Sequence, residues 1–201
     1  MDFEKIKKAF LNNGFEVSTF DTKEQSSEYL NKEIDKKTVG FGGSVTLDEM
    51  KLYDSLSTHN TIFSHWNVQN GKTATDMIDE AINSDVYITS ANAVSENGEI
   101  VNIDGRGNRA SSTLYGHKKV YIVIVKNKIE SDLEKAIFRA RNIAAPKNAQ
   151  RLKTKTPCAI KGDKCYNCNS KDRICNALIV HYKKMLSCDM EIVIINENLG
   201  F

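Results

Sequence analysis

Apolar residues recur along this chain with two alternating periods, and the alternation predicts helices threaded between strands. Phe3, Ile6 and Phe10 fall on one helical face, with Asp2 placed to cap it and Asn12-Asn13-Gly14 to stop it. Residues 15–20 read as a short strand, and Tyr29, Leu30 and Ile34 mark a second helix. Residues 38–41 form a short apolar strand that runs straight into Gly42-Gly43-Ser44, followed by a helix over 47–56 and a strand over 61–66. Ala74, Met77, Ile78, Ala81 and Ile82 match the i, i+3, i+4, i+7, i+8 spacing of an amphipathic helix in full. Strands are predicted over 85–89 and, after a turn at Glu96-Asn97-Gly98, over 100–103. Residues 120–125 are an unbroken apolar run, as expected of a central strand covered on both faces. Ile129, Leu133, Ile137, Ala140 and Ala144 line a long helix predicted to end before Pro146. Residues 177–186 fit a helix, and 190–195 a last strand that returns to the main sheet.

Helices between mostly parallel apolar strands make an α/β fold, a three-layer α/β/α sandwich, over a single domain of residues 1–201. There is no internal repeat. Hydrophobic residues make up 40% of the chain and charged residues 27%, a globular balance, and the net charge of +2 gives no strongly basic surface for nucleic acid. No apolar stretch approaches the roughly 20 residues that span a bilayer. The chain opens without a basic segment followed by an apolar run. The expectation is a cytoplasmic protein with neither membrane nor nucleic-acid partners.

Residues 156–176 break this pattern. They are rich in Lys, Asp, Asn and Gly, too polar to form a core, and hold Cys158, Cys165, Cys168 and Cys175 in a Cys-x6-Cys-x2-Cys-x6-Cys spacing before the last strand. In a reducing compartment, clustered cysteines point to metal ligation, and four thiolates suit zinc or an iron–sulfur cluster. The spacing matches neither the paired Cys-x2-Cys of zinc ribbons nor the ferredoxin runs, so it does not choose the metal. Reduced thiols or disulfides are the plain alternative. Cys188 reads as a small core residue.

Three further stretches follow strands, where sheets of this class place ligands. In residues 40–46, Gly42, Gly43, Ser44 and Thr46 offer backbone N–H groups and hydroxyls to a phosphate or carboxylate, or else form a tight turn capped by Ser44. In residues 89–98, Asn92 and Glu96 are polar candidates, Glu96 as nucleophile or general base; Asn97-Gly98 is at the same time a type I′ hairpin signal. In residues 102–109, Asp104, Arg106, Asn108 and Arg109 crowd into a glycine-rich loop suited to anions. The histidines at 59, 65, 117 and 181 have no metal-ligand spacing; His65, beside Trp66 at a strand end, is the one positioned to line a pocket.

The stretches 40–46, 89–98 and 102–109 together resemble the stand-alone lactate-utilisation (LUD) domain family, and the likeness extends to Asn127-Lys128, residues 141–146 and the closing Leu199-Gly200-Phe201. The resemblance implies a fold similar to glucosamine-phosphate deaminase, ribose-phosphate isomerase and coenzyme A transferases. It also implies a role beside iron–sulfur partner proteins in oxidising lactate to pyruvate. The chain would then be an accessory or electron-transfer component that binds a small anionic metabolite and a cysteine-ligated centre, iron–sulfur or zinc. Relatives of this fold often pair, so a homodimer is expected too. Ser95-Glu96-Asn97-Gly98 is also similar to the transferase signature in which the Glu is the nucleophile. The alternative is therefore an enzyme of the transferase or sugar-phosphate isomerase type that uses Glu96, with a structural zinc. A third reading is a regulatory module whose cysteine loop docks a partner.

Overall fold

The computed structural model describes residues 3–201. Helix α1 (Phe3–Asn12), strand β1 (Glu16–Phe20), helix α2 (Lys23–Glu33) and strand β2 (Thr38–Phe41) follow the predicted periodicity. The Asp2 cap of α1 lies outside the described residues. A capping box starts α2: the Thr22 hydroxyl accepts the Gln25 N–H, and the Gln25 side chain accepts the Thr22 N–H.

The helix predicted over 47–56 is two pieces, α3 (Val45–Glu49) and α4 (Leu52–Leu56). Lys51 between them takes φ 53°, a left-handed conformation no continuous α-helix contains. The break lets Leu47, Met50, Leu52 and Leu56 all enter one core. Strand β3 (Thr61–Phe63) stops short of Trp66, and α5 (Ala74–Ile82) and β4 (Val86–Ser90) follow. Strands β5 (Ala93–Ser95) and β6 (Ile100–Asp104) form the predicted hairpin, but without a type I′ turn. Asn97 keeps a negative φ and Gly98 alone is left-handed, at 85°, so three residues rather than two make the connection.

Next come α6 (Asn108–Leu114), β7 (Lys119–Val125), a 3-10 turn (Lys126–Lys128) and β8 (Ile129–Glu130). Ile129 thus belongs to a strand, not to the helix its spacing suggests. Helix α7 (Leu133–Arg139), a π-helical turn (Ala140–Ala144) and α8 (Ala145–Arg151) then run on without interruption, past the predicted stop at Pro146. The π turn explains this: the Ala145 N–H reaches back five residues to the Ala140 carbonyl, and Pro146 falls in the first turn of α8, where a missing N–H costs little. Helix α9 (Pro157–Lys161) opens the cysteine segment, and β9 (Ala177–His181) and β10 (Asp189–Ile195) close the chain. The helix predicted over 177–186 is therefore wrong. Its apolar run fits either period, and pairing decides: Ala177 to His181 zip antiparallel along β6, from Asp104 back to Ile100.

The main sheet has the order β1-β10-β7-β4-β2-β3, with every neighbouring pair parallel. Alternation along β7 shows why its run is unbroken. Tyr121, Val123 and Val125 pack on one side with the leucines of α2, α3 and α4, while Val120, Ile122 and Ile124 pack on the other with Ile6 and Phe10 of α1. The arrangement is the predicted α/β/α sandwich, with the cysteine segment inserted before the last strands. The structure adds a second sheet, β8-β5-β6-β9, lodged on the α1 side. Val94 and Ile100 of this small sheet join the core beneath the main sheet, and Ala93, Val101 and Ile103 pack on Ala136 and Ala140 of the α7 rod.

Candidate functional site

At the carboxyl ends of the parallel strands a cleft of about 580 Å³ opens. Its walls are the loops after β2, β3, β4, β6 and β7, together with α8, Ile174 of the cysteine segment and Phe201. Of the residues proposed from sequence, Gly43, Ser44, Thr46, Asn92, Asp104, Arg106, Asn108 and Arg109 all line it, drawn from three separate stretches of chain.

Several of them are spoken for. The Ser44 hydroxyl caps the five-residue α3 by accepting the Leu47 N–H at 3.4 Å, as the tight-turn reading requires. Asp104 is enclosed by donors: Oδ1 accepts the N–H groups of Arg106 (3.0 Å) and Gly107 (2.8 Å), and Oδ2 accepts that of Ala110 (2.8 Å). Its charge holds the loop and the start of α6. Arg109 donates to the Ser90 and Ile103 carbonyls and to the Oδ1 atoms of Asn92 and Asn102. The Asn92 Oδ1 accepts the Ile103 N–H as well, at 2.7 Å. Asn92, Asn102 and Arg109 therefore form a floor that ties β4's end to β6's end. Arg106 is different: it is exposed, and its guanidinium has no hydrogen-bond or ion-pair partner among the described residues.

Two proposed residues do not belong to the cleft. Gly42 faces the sheet, where its N–H donates to the Ile88 carbonyl at 2.9 Å. A Cβ there would sit 2.5 Å from the Thr89 hydroxyl oxygen, so the glycine serves strand packing. Glu96 is carried away by β5. It sits in the hairpin turn, paired with Lys5 of α1, while Asn13 donates to the carbonyls of Asn97 and Gly98. The hairpin reading of this stretch holds, and its turn lies against α1, outside the cleft that Ser44 and Arg106 line.

Sequence reasoning missed Lys128, Arg151 and Asn148. Lys128 is buried, lines the cleft, and donates from Nζ to the Thr46 Oγ1 at 2.7 Å and the Ser90 Oγ at 2.9 Å. Its signal was present: a lysine three residues past the most apolar strand stands at that strand's carboxyl end. Arg151 had none, since it reaches the cleft only because α8 continues through Pro146. Its guanidinium stacks over the Trp66 ring at 4.6 Å. His65 lines the cleft beside Trp66, as its position suggested. His117 and His181 are buried and bonded to the Ser84 and Thr113 carbonyls, and Cys188 is buried in the core.

The cysteine segment lies next to the cleft. Cys158, Cys165, Cys168 and Cys175 all line one small cavity of about 20 Å³ against α8, together with Arg141, Thr156 and Ile174. The Asn167 N–H, at a left-handed residue, donates to the Cys165 Sγ at 3.3 Å. Arg173 holds the loop by donating to the carbonyls of Cys168 (2.7 Å) and Cys175 (3.0 Å). The thiols share a cavity, yet among the described residues no three His, Cys, Asp or Glu side chains stand close enough to hold an ion.

The LUD domain family model matches residues 3–195, nearly the whole chain. The chain belongs to the LUD domain family. A crystal structure of a DUF162 family protein from Deinococcus radiodurans superposes with a TM-score of 0.54 at 8% identity, covering 96% of this chain and 95% of that one. At that identity the likeness establishes the shared fold. No curated protein matches. Family membership makes this a lactate-utilisation-related protein. Among the described residues no helix is long and apolar enough to cross a membrane.

The electrostatics of this LUD domain's cleft are one-sided. Arg106, Arg109, Lys128 and Arg151 line it against one acidic side chain among the described residues, Asp104, whose oxygens are occupied by backbone N–H groups. Burial lowers the His65 pKa, and the charges of Arg106 and Arg151 lower it further, so the imidazole stays neutral at ordinary pH. Burial, reinforced by the charges of Arg139 and Arg109, pushes Lys128 down to about 7. A cleft that disfavours its own cations is one in which an anion is stabilised.

Proposed function

We propose that this LUD domain binds a small carboxylate anion in its cleft as an accessory or electron-transfer component of lactate oxidation to pyruvate. One observation carries the reading: three guanidiniums and a buried amine line a cleft whose one acidic side chain, among the described residues, is already satisfied. Arg106, free of partners among the described residues, supplies the exposed fork for the carboxylate, and Lys128 a buried nitrogen at the cleft floor. Glu96 has no part in this chemistry. Calorimetric titration with lactate, pyruvate and inorganic phosphate tests the proposal. Saturable binding of the carboxylates that weakens with salt supports it, and flat titrations with all three overturn it.

The same proposal gives Cys158, Cys165, Cys168 and Cys175 a metal centre, iron–sulfur or zinc, through which an iron–sulfur partner protein would be met. What favours it is the shared cavity and the N–H donated to the Cys165 sulfur, a contact that stabilises a thiolate. Metal analysis and a visible spectrum of anaerobically purified protein test it. Iron with a band near 400 nm supports the redox role, one zinc per chain leaves a structural site, and metal-free protein that takes up neither ion removes both.

A further inference from the structure

Lys128 is a buried amine at the floor of the cleft. No ion pair reaches it among the described residues; the charges that face it are the guanidiniums of Arg139 and Arg109 and the carboxylate of Glu49. Its hydrogen-bond partners are two hydroxyls, on Thr46 and Ser90, both buried. This is an unusual setting for a lysine that serves only as a charge, because burying an ammonium beside two guanidiniums is costly. It suits a lysine that works as the free amine. A neutral amine carries two N–H bonds and one lone pair. The two hydroxyls engage the two N–H bonds, and the lone pair is the one direction left unengaged.

We propose that Lys128 is a nucleophile that captures the carbonyl carbon of a small oxo-carboxylate held in the cleft. The inference rests on the cleft reading above and adds the substrate class: a carboxylate with an adjacent carbonyl. Arg106 would hold the carboxylate while Nζ attacks. The C–N bond forms, the carbonyl π pair moves to oxygen, and a proton passes from nitrogen to that oxygen to give a carbinolamine. Loss of water then yields the imine. The Thr46 and Ser90 hydroxyls, hydrogen-bonded to Nζ, are in place to relay that proton. No oxidant or reductant enters. The lowered pKa of the amine agrees with the role, since a nucleophilic lysine must be unprotonated at working pH.

The test is reductive trapping. The full chain is incubated with pyruvate and sodium borohydride and examined by intact mass and peptide mapping, with lactate, which lacks the carbonyl, in parallel. One reduced pyruvyl adduct per chain on Lys128, absent with lactate and lost in Lys128→Arg, is the expected result. No adduct, or label spread over surface lysines, overturns the proposal. If Lys128→Arg does not fold, the peptide map of the wild-type adduct decides on its own. The two readings separate cleanly: lactate and pyruvate that bind without trapping sink the imine and spare the cleft, whereas failure of both to bind sinks the cleft.

Discussion

The backbone N–H of Asn176 donates to the carbonyl of Asp104 at 2.9 Å, joining the end of the cysteine segment to the loop that carries Arg106. The Asn176 side chain adds a second tie, donating from Nδ2 to the Gly105 carbonyl at 2.9 Å. Cys175 and Arg106 are therefore held by the two ends of one short bridge.

From that bridge, Asn176→Ala is expected to cost about 1 kcal/mol of stability and to loosen the Arg106 loop. Carboxylate affinity should fall severalfold, and alkylating the thiols should lower it in the same direction. Calorimetry on native, alkylated and variant protein checks this; unchanged affinity in both would show that the segment and the cleft are independent.

Arg106 and Arg109 should separate on substitution. Arg106→Ala removes an exposed guanidinium that has no partner among the described residues, and should weaken carboxylate binding about tenfold with little change in melting temperature. Arg109→Ala takes one donor from each of the Asn92 and Asn102 oxygens and the Ser90 and Ile103 carbonyls, and should cost of order 3 kcal/mol. Thermal melts and titrations on the pair distinguish ligand contact from floor.

Lys128 sets a pH dependence. Its folded pKa of about 7 lies below the ordinary 10.5, so between these values the unfolded chain binds more protons than the folded one. The lysine's burden on stability is full below pH 7 and is relieved as pH rises toward 10.5, with a slope of up to about 1.4 kcal/mol per unit. Lys128→Met should abolish that slope, so its stability gain over wild type is largest at low pH and shrinks upward. Denaturant melts across pH 6 to about 10 read the difference, and parallel curves would refute the assignment.

Glu96→Gln should leave carboxylate affinity unchanged and move stability by no more than about 0.5 kcal/mol, because its pairing with the exposed Lys5 is a surface ion pair. Loss of binding in this variant would contradict the placement of the hairpin.

Local pattern carried most of the fold. The unbroken run of β7, the full helical spacing of α5 and the glycines after β2 each state their element without help from elsewhere. Where pattern failed, a distant partner decided. Ala177 to His181 became a strand because β6 had an open edge. Ile129 left its helix to pair beside Val94. Pro146 did not stop α8 because the π turn before it absorbed the missing N–H.

The candidate site divides along the same line. By itself the sequence determined that anion-seeking residues follow strands and that four thiols crowd one polar segment, since both are matters of residue type and spacing. Only the tertiary structure decided that Glu96 is turned toward α1, that Arg151 enters through the extension of α8, and that Lys128 lies buried between Thr46 and Ser90. Those two hydroxyls are 82 and 38 residues away along the chain. Burial, and with it the charge state of an amine, is a property of what surrounds a residue in space, and no window of sequence contains it.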